Sequence, residues 1–191
     1  MPKLGMQPLR RASLVQATIA EIGRAQTLDV TVGQIAKSAG MSTALAHHYF
    51  GGKDQIFLAA MRHILTEYGA EVRAELARAD TPRGRAEAII TASFAETCFA
   101  PATVSAWMTL YAAARSNAQT LRLLTLYQSR LRSNLTHALR PICAAPQVQA
   151  EAIAALIDGL YLRAALAPEG TITDARETAL RTLDLIVKDS Q

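Results

Sequence analysis

The stretch Val30–Lys53, VTVGQIAKSAGMSTALAHHYFGGK, decides the fold. Thr31 stands at a helix N-cap position, and Val32, Ile35, Ala36 and Ala39 give a small apolar stripe at helical spacing. Gly40 falls where the chain must reverse, and glycine enters the left-handed region at little steric cost. Ser42 caps a second helix, Thr43 to about Phe50. Ala36 is small where the two helices must cross, and Met41, Ala46 and Phe50 can face a shared core. Two short helices and a tight turn make a helix-turn-helix, whose second member is of the kind that enters a DNA major groove. An ordinary helical hairpin in an all-helical core is the plainer alternative.

Charge placement favours the DNA reader. Residues 1–53 hold six Lys or Arg (Lys3, Arg10, Arg11, Arg24, Lys37, Lys53) against two acids, Glu21 and Asp29. Residues 54–191 carry fourteen of each sign, so the whole excess of +4 sits at the front of the chain. There it attracts phosphates and makes binding salt-sensitive.

The 191 residues suffice for a sizeable core, as one large or two small domains. Half are hydrophobic, Ala and Leu dominate, and β-branched runs are short, which predicts an all-α protein. No segment approaches the ~18 apolar residues that span a bilayer. The opening MPKLGMQPLRR lacks a signal-peptide core, so a cytoplasmic location is expected. Cys98 and Cys143 lack paired spacing and read as reduced core residues, with no metal site and no cofactor.

About nine helices are expected from the apolar periodicity. The first runs from Gln7 to Arg24, with Leu9, Leu14, Ala17, Ile19 and Ile22 inward. The fourth runs from Lys53 to about Ala79, its stripe being Phe57, Met61, Ile64, Leu65, Tyr68, Val72 and Leu76. The next span 83–99, 102–115 and 117–139, with Asn117 as a cap. Two more cover 147–167 and, capped by Thr173, the stretch to Lys188. A domain boundary is placed between residues 52 and 53: a helix-turn-helix DNA-binding domain, 1–52, then a ligand-binding and dimerisation domain, 53–191. The last two helices are apolar on two faces. One face suits the chain itself and the other a second copy, giving a homodimer through a four-helix bundle, unless one monomer buries both.

On the second short helix, Thr43, Ala44, His47 and His48 are placed to read bases through hydroxyl, methyl and imidazole edges. Ser42, Tyr49, Lys53 and Thr31 suit phosphates, and Lys3, Arg10 and Arg11 form an N-terminal arm for backbone or minor groove. Tyr49 reads equally as a core aromatic. The pair His47–His48 is no metal site, because neighbours on a helix point about 100° apart.

Aromatic residues are rare. Trp107 and Tyr111 share one helix face, and Phe94, Tyr127 and Tyr161 fall on three other helices, with the acids Glu96 and Asp158 among them. Ring faces with a carboxylate hold a quaternary ammonium, so Phe94, Glu96, Trp107, Tyr111, Asp158 and Tyr161 form a candidate ligand pocket. A core Trp/Tyr pair, and an Asp158–Arg163 ion pair, are the plainer alternatives.

Thr31, Ile35, Ala36, Ala39, Gly40, Ser42, Tyr49, Phe50 and Lys53 resemble the pattern of TetR-family repressors, and length and helix count fit along the whole chain. Arg10-Arg11, STALAHHYF, FAET at 94–97, Ala106-Trp107 and above all LIDGLYLRAAL at 156–166 resemble the family's BetI-type branch. Gly51-Gly52 and Ala44 depart from the family pattern. The resemblance implies a homodimeric repressor of glycine betaine synthesis genes. Its partners would be operator DNA and choline or betaine aldehyde. A TetR-type repressor of an efflux pump, sensing lipophilic cations, is the alternative. No nucleophile elbow, phosphate loop or HExxH motif is present, so an enzyme is not expected. Ligand would act by shifting the population toward a state whose two recognition helices are misspaced for successive major grooves, about 34–36 Å apart.

Overall fold

The computed structural model describes residues 6–25, 30–167 and 171–188, the side chains at 171 and 173 aside. Its described residues form nine α-helices: α1 (Met6–Ala25), α2 (Val32–Ser38), α3 (Thr43–Phe50), α4 (Lys53–Leu76), α5 (Pro82–Ser93), α6 (Pro101–Ala113), α7 (Ala118–Leu139), α8 (Pro146–Ala165) and α9 (Thr171–Lys188). One 3₁₀ turn, Glu96–Phe99, lies between α5 and α6.

The chain packs as two units: residues 1–66 with 100–124, and residues 67–99 with 125–191. This differs from a division at 52/53, because α1 packs more extensively on α6 than on α2. Compactness therefore groups α6 with the front helices, and α4 runs unbroken across residues 66 and 67.

In the first unit, Leu14, Ala17 and Ile22 of α1, Ile35 and Ala36 of α2, Ala46 of α3, and Ile56 and Met61 of α4 are buried. Each large aliphatic contributes about 1.5–3 kcal/mol on burial. Leu9 was expected inward but is 65 % exposed. It lies five residues before Leu14, about 140° round the helix from the buried stripe. Met41 and Phe50 are half-buried beside the fully buried Ala46.

In the second unit, α9 lays Ala175, Ala179, Leu183 and Val187 inward at four-residue spacing, and α8 and α5 are its partners. The expected helix over 83–99 ends at Ser93. Beyond it the chain passes through the 3₁₀ turn, whose Cys98 carbonyl accepts the Tyr161 hydroxyl, and Pro101 opens α6. Helix α9 starts at Thr171, so Thr173 lies inside it and is not its cap. Asn117 does cap α7: its Oδ1 accepts from the Gln119 and Thr120 amides at 3.0 and 3.1 Å.

Candidate functional site

Two sites emerge, one in each unit. The first is the exposed face of α3. The Thr31 hydroxyl accepts from the Gln34 amide at 3.2 Å, and the Thr31 amide donates to Gln34 Oε1 at 2.7 Å, a reciprocal capping box. Gly40 turns the chain at φ +66°, and Ser42 Oγ accepts from the Leu45 amide at 3.2 Å. These contacts fix where α3 begins. Its end is fixed by Gly51, whose φ of +79° admits glycine readily and strains other residues.

Thr43, Ala44, His47 and His48 are all exposed on α3. His47 Nδ1 lies 3.1 Å from the Gly51 carbonyl. A carbonyl can only accept, so Nδ1 carries the hydrogen and the neutral ring offers Nε2 as an acceptor. Tyr49 is half-buried, and its ring meets His48 edge-on at 5.5 Å between centroids. Lys53 is exposed at the first residue of α4, and Ser42 and Thr31 are exposed beside their helix starts. Arg10 is half-buried. The Arg11 guanidinium stacks 4.7 Å over the Phe50 ring, bracing α1 against the end of α3. Lys3 lies outside the described residues.

The capping box engages both Thr31 donors, since the hydroxyl also donates to Gln34 Oε1 at 2.9 Å. Thr31 therefore shapes α2 and has no spare donor for a phosphate. The exposed Gln34 amide nitrogen stands at that surface instead, a residue that sequence reasoning missed.

The second site gathers tyrosines. Tyr68 of α4 meets Tyr127 of α7 in a T-shaped pair, 5.9 Å between centroids. Ser93 Oγ donates to the Ile89 carbonyl at 2.8 Å, so the Tyr68 hydroxyl donates to Ser93 at 2.9 Å. The Tyr127 hydroxyl donates to Asp158 Oδ1 at 3.1 Å. Tyr161 of α8 donates to the Cys98 carbonyl at 2.9 Å, and its ring lies 5.0 Å from Phe99, which stacks on Phe94 at 6.4 Å.

Burial of the Tyr68 hydroxyl pushes its pKa up to about 12, against the Ser93 hydrogen bond, with the Cys98 and Asp158 charges adding to the rise. Burial likewise pushes the Cys98 thiol up to about 11, and the Glu71 charge adds to it. The Asp158 charge thus acts on Tyr68 and the Glu71 charge on Cys98. All these groups belong to the second unit.

Of the six expected pocket residues, the structure places Phe94, Asp158 and Tyr161 in this cluster. Glu96 is exposed in the 3₁₀ turn. Trp107 and Tyr111 stack on each other at 5.8 Å in the first unit, where Trp107 is 7 % exposed. Sequence reasoning missed Tyr68 and Phe99 as members of this cluster and left Tyr127 out of the candidate pocket. Tyr68 reads as one more residue of the apolar stripe on α4. Asp158 also lines a recess of about 170 Å³ with Gln128, Leu131, Arg132 and Glu151. That wall holds no aromatic ring and contains a guanidinium, so it suits a cation less well than the tyrosine cluster does.

The α8 surface carries a third feature. Val148, Ala152, Ala155, Gly159, Leu162 and Leu166 are all exposed and recur at four- and three-residue steps. Val148 is 71 % and Leu166 70 % exposed. This is an apolar seam with small residues at its middle, which permits close helix approach. No helix of the described residues is long and apolar enough to cross a membrane.

Comparison with known proteins agrees with this geometry. Residues 14–60 match the family of bacterial regulatory proteins of the tetR type, and residues 82–188 match the C-terminal region of BetI-type transcriptional repressors. The HTH-type transcriptional regulator BetI of Brucella anthropi is 51% identical over 168 residues, 87% of each chain. That of Rhizobium meliloti is 47% identical over 168 residues, covering 87% of this chain and 83% of its own. Among solved structures, a putative transcriptional regulator from Pseudomonas aeruginosa PAO1 superposes with a TM-score of 0.81 at 25% identity, covering 95% of this chain and 91% of its own. One from Saccharomonospora viridis, solved in complex with choline, gives 0.78 at 19% identity, covering 91% of this chain and 95% of its own. A front end built to present α3, followed by a tail matching over residues 82–188, makes this chain a member of the TetR family of transcriptional repressors, of the BetI type.

Proposed function

We propose that the chain represses genes for glycine betaine synthesis, and that choline or betaine aldehyde, held in the tyrosine cluster, controls its grip on the operator. The observation that carries this is the Tyr68–Tyr127 ring pair with Asp158 on the Tyr127 hydroxyl, and the Tyr161–Phe99 ring contact in the same unit. A quaternary ammonium cannot donate a conventional N–H hydrogen bond. It is held by ring faces, each worth about 0.5–2 kcal/mol, and by a counter-charge. The Asp158 carboxylate, which accepts the Tyr127 hydroxyl, supplies that charge. A regulator of the same fold, from Saccharomonospora viridis, was solved in complex with choline.

On the DNA side, Thr43, Ala44, His47 and His48 would meet base edges. Ser42, Gln34, Lys53, Arg10 and Arg11 would meet the backbone, and Tyr49 would brace His48. The α8 seam, with Leu185 of α9 at 62 % exposure, would join two copies, as a paired half-site requires. Such a regulator would work in the cytoplasm. The residues up to 52 would constitute its DNA-binding domain and those from 53 its ligand-binding and dimerisation domain. Ligand would favour a state in which the paired α3 helices are misspaced.

Calorimetry tests the effector. Choline and betaine aldehyde should bind saturably, and bulky lipophilic cations should bind at least about tenfold more weakly, a gap of 1.4 kcal/mol. The reverse order would make the chain an efflux-pump repressor instead.

A further inference from the structure

Thr43, Ala44 and His47 recur at three- and four-residue steps on α3, and all three are exposed, as is His48. Most of these side chains have no fixed polarity toward a base. A threonine hydroxyl rotates to donate or to accept, and an alanine methyl does neither. A neutral imidazole can move its hydrogen from one nitrogen to the other. His48 is of that kind: its ring meets Tyr49 edge-on, and among the described residues no hydrogen bond holds its nitrogens.

His47 differs. It and Gly51 are tied by two hydrogen bonds that run in opposite directions. The Gly51 amide donates to the His47 carbonyl at 2.7 Å, and the Gly51 carbonyl lies 3.1 Å from His47 Nδ1. A carbonyl cannot donate, so the hydrogen of the neutral ring is held at Nδ1 and Nε2 is left as an acceptor. Gly51 stands there for its backbone. A Cβ on it would meet nothing within 4 Å, so space does not demand glycine, but its φ of +79° does. The carbonyl that anchors the ring thus depends on the residue at 51.

In the major groove the four bases differ in what they offer such an acceptor. Adenine presents an N6 amino donor and cytosine an N4 amino donor. Guanine presents N7 and O6 acceptors, and thymine an O4 acceptor and a methyl group. An Nε2 lone pair is therefore drawn to adenine or cytosine and is set against the acceptors of the other two.

We infer that His47 is a specificity-determining residue of α3, selecting a base with an exocyclic amine at one position of the site, and that Gly51 is the positioning residue that fixes this choice. This rests on α3 as the DNA reader. A side chain of fixed polarity, held by its own helix end, chooses between bases where Thr43 and His48 can adapt to either.

A library of random duplexes, selected near neutral pH by wild type, His47→Ala and Gly51→Ala, tests the choice. Wild type should enrich adenine or cytosine at one position where His47→Ala shows no preference, with the other positions unchanged. On the selected duplex, that base is then exchanged for its analogue without the amine, purine for adenine or 2-pyrimidinone for cytosine. Wild-type affinity should fall about 5- to 10-fold, the worth of one hydrogen bond. His47→Ala should distinguish the two duplexes by at most about twofold, and it also controls for the weakened base pair, which both proteins meet alike. Gly51→Ala should bind with its preference at this position reduced to about twofold, a change in choice that a general loss of affinity would not produce. His47 is exposed, so His47→Ala and the base analogues carry the test if Gly51→Ala does not fold. Guanine or thymine enriched at the position that depends on His47 overturns the assignment, as does an amine whose removal costs His47→Ala as much as wild type. Undiminished choice in Gly51→Ala overturns the positioning role. A wild-type protein that enriches no sequence overturns α3 as the DNA reader, and is recognised before any variant is made.

Discussion

Replacing Asp158 by Asn removes one negative charge from the tyrosine cluster and keeps the size and shape of the side chain. Asparagine keeps an oxygen where Asp158 Oδ1 accepts the Tyr127 hydroxyl at 3.1 Å, so the contact between α7 and α8 survives. An ammonium seated against the Tyr68 and Tyr127 rings would lie about 5 Å from that carboxylate. At an effective dielectric constant near 20, the attraction is about 3 kcal/mol. Desolvation offsets part of it, leaving about 1.5–3 kcal/mol. Choline should therefore bind Asp158→Asn about 10- to 100-fold more weakly, since 1.36 kcal/mol is a factor of ten. Isothermal calorimetry on the DNA-free protein measures this directly. Operator affinity without choline should stay within about twofold, because no DNA-facing group is altered. Tyr127→Phe, which keeps the ring and loses the hydroxyl, should cost less than Asp158→Asn. If Asp158→Asn bound choline within about twofold of wild type, the carboxylate would not face the cation and the site would be misassigned.

Two further expectations follow from other parts of the molecule. Leu162→Glu sets a charge in the middle of the exposed α8 seam; losing two buried leucines costs about 3–6 kcal/mol per dimer, so sedimentation should find monomer where wild type is dimeric, and an unchanged dimer would move the interface elsewhere. The Glu21 carboxylate, 8 % exposed, is held below its usual 4.5 by hydrogen bonds from Arg24 and then Ser38, against the opposing effect of burial. Its contribution is thus present above that value and is lost as pH falls through the lower folded value. The melting-temperature gap between wild type and Glu21→Gln should be constant near neutrality and close below about pH 4.5; a gap that persists in acid would mean that Glu21 acts by packing.

The helix-turn-helix was legible because each boundary has its own local chemistry. Thr31, Gly40, Ser42 and Asn117 act through their nearest neighbours in the chain, and the structure finds each doing so. The tyrosine cluster was only half legible. Tyr127 and Asp158 are 31 residues apart, and Tyr161 and Cys98 are 63 apart, so no window on the sequence contains either pair. Trp107 drew attention as the single tryptophan, yet its ring is spent on Tyr111 and on burial in the first unit. The break after Ser93 was hidden for a related reason. The apolar pattern of 83–99 is continuous, and the 3₁₀ turn that follows Ser93 is held from a distance, by the Tyr161 hydroxyl on the Cys98 carbonyl. Gly51 was noted as a departure from the family pattern; its left-handed backbone places the carbonyl that orients His47.

The most direct test is fluorescence anisotropy of a labelled duplex from upstream of this gene or its neighbours, titrated with the wild-type protein at several salt concentrations, with and without choline. We expect tight binding that weakens steeply with salt, and a shift of at least about tenfold when choline is added. Binding that choline leaves unchanged would contradict the coupling of α3 to the tyrosine cluster, and no binding even at low salt would contradict the DNA-reading role of α3 itself.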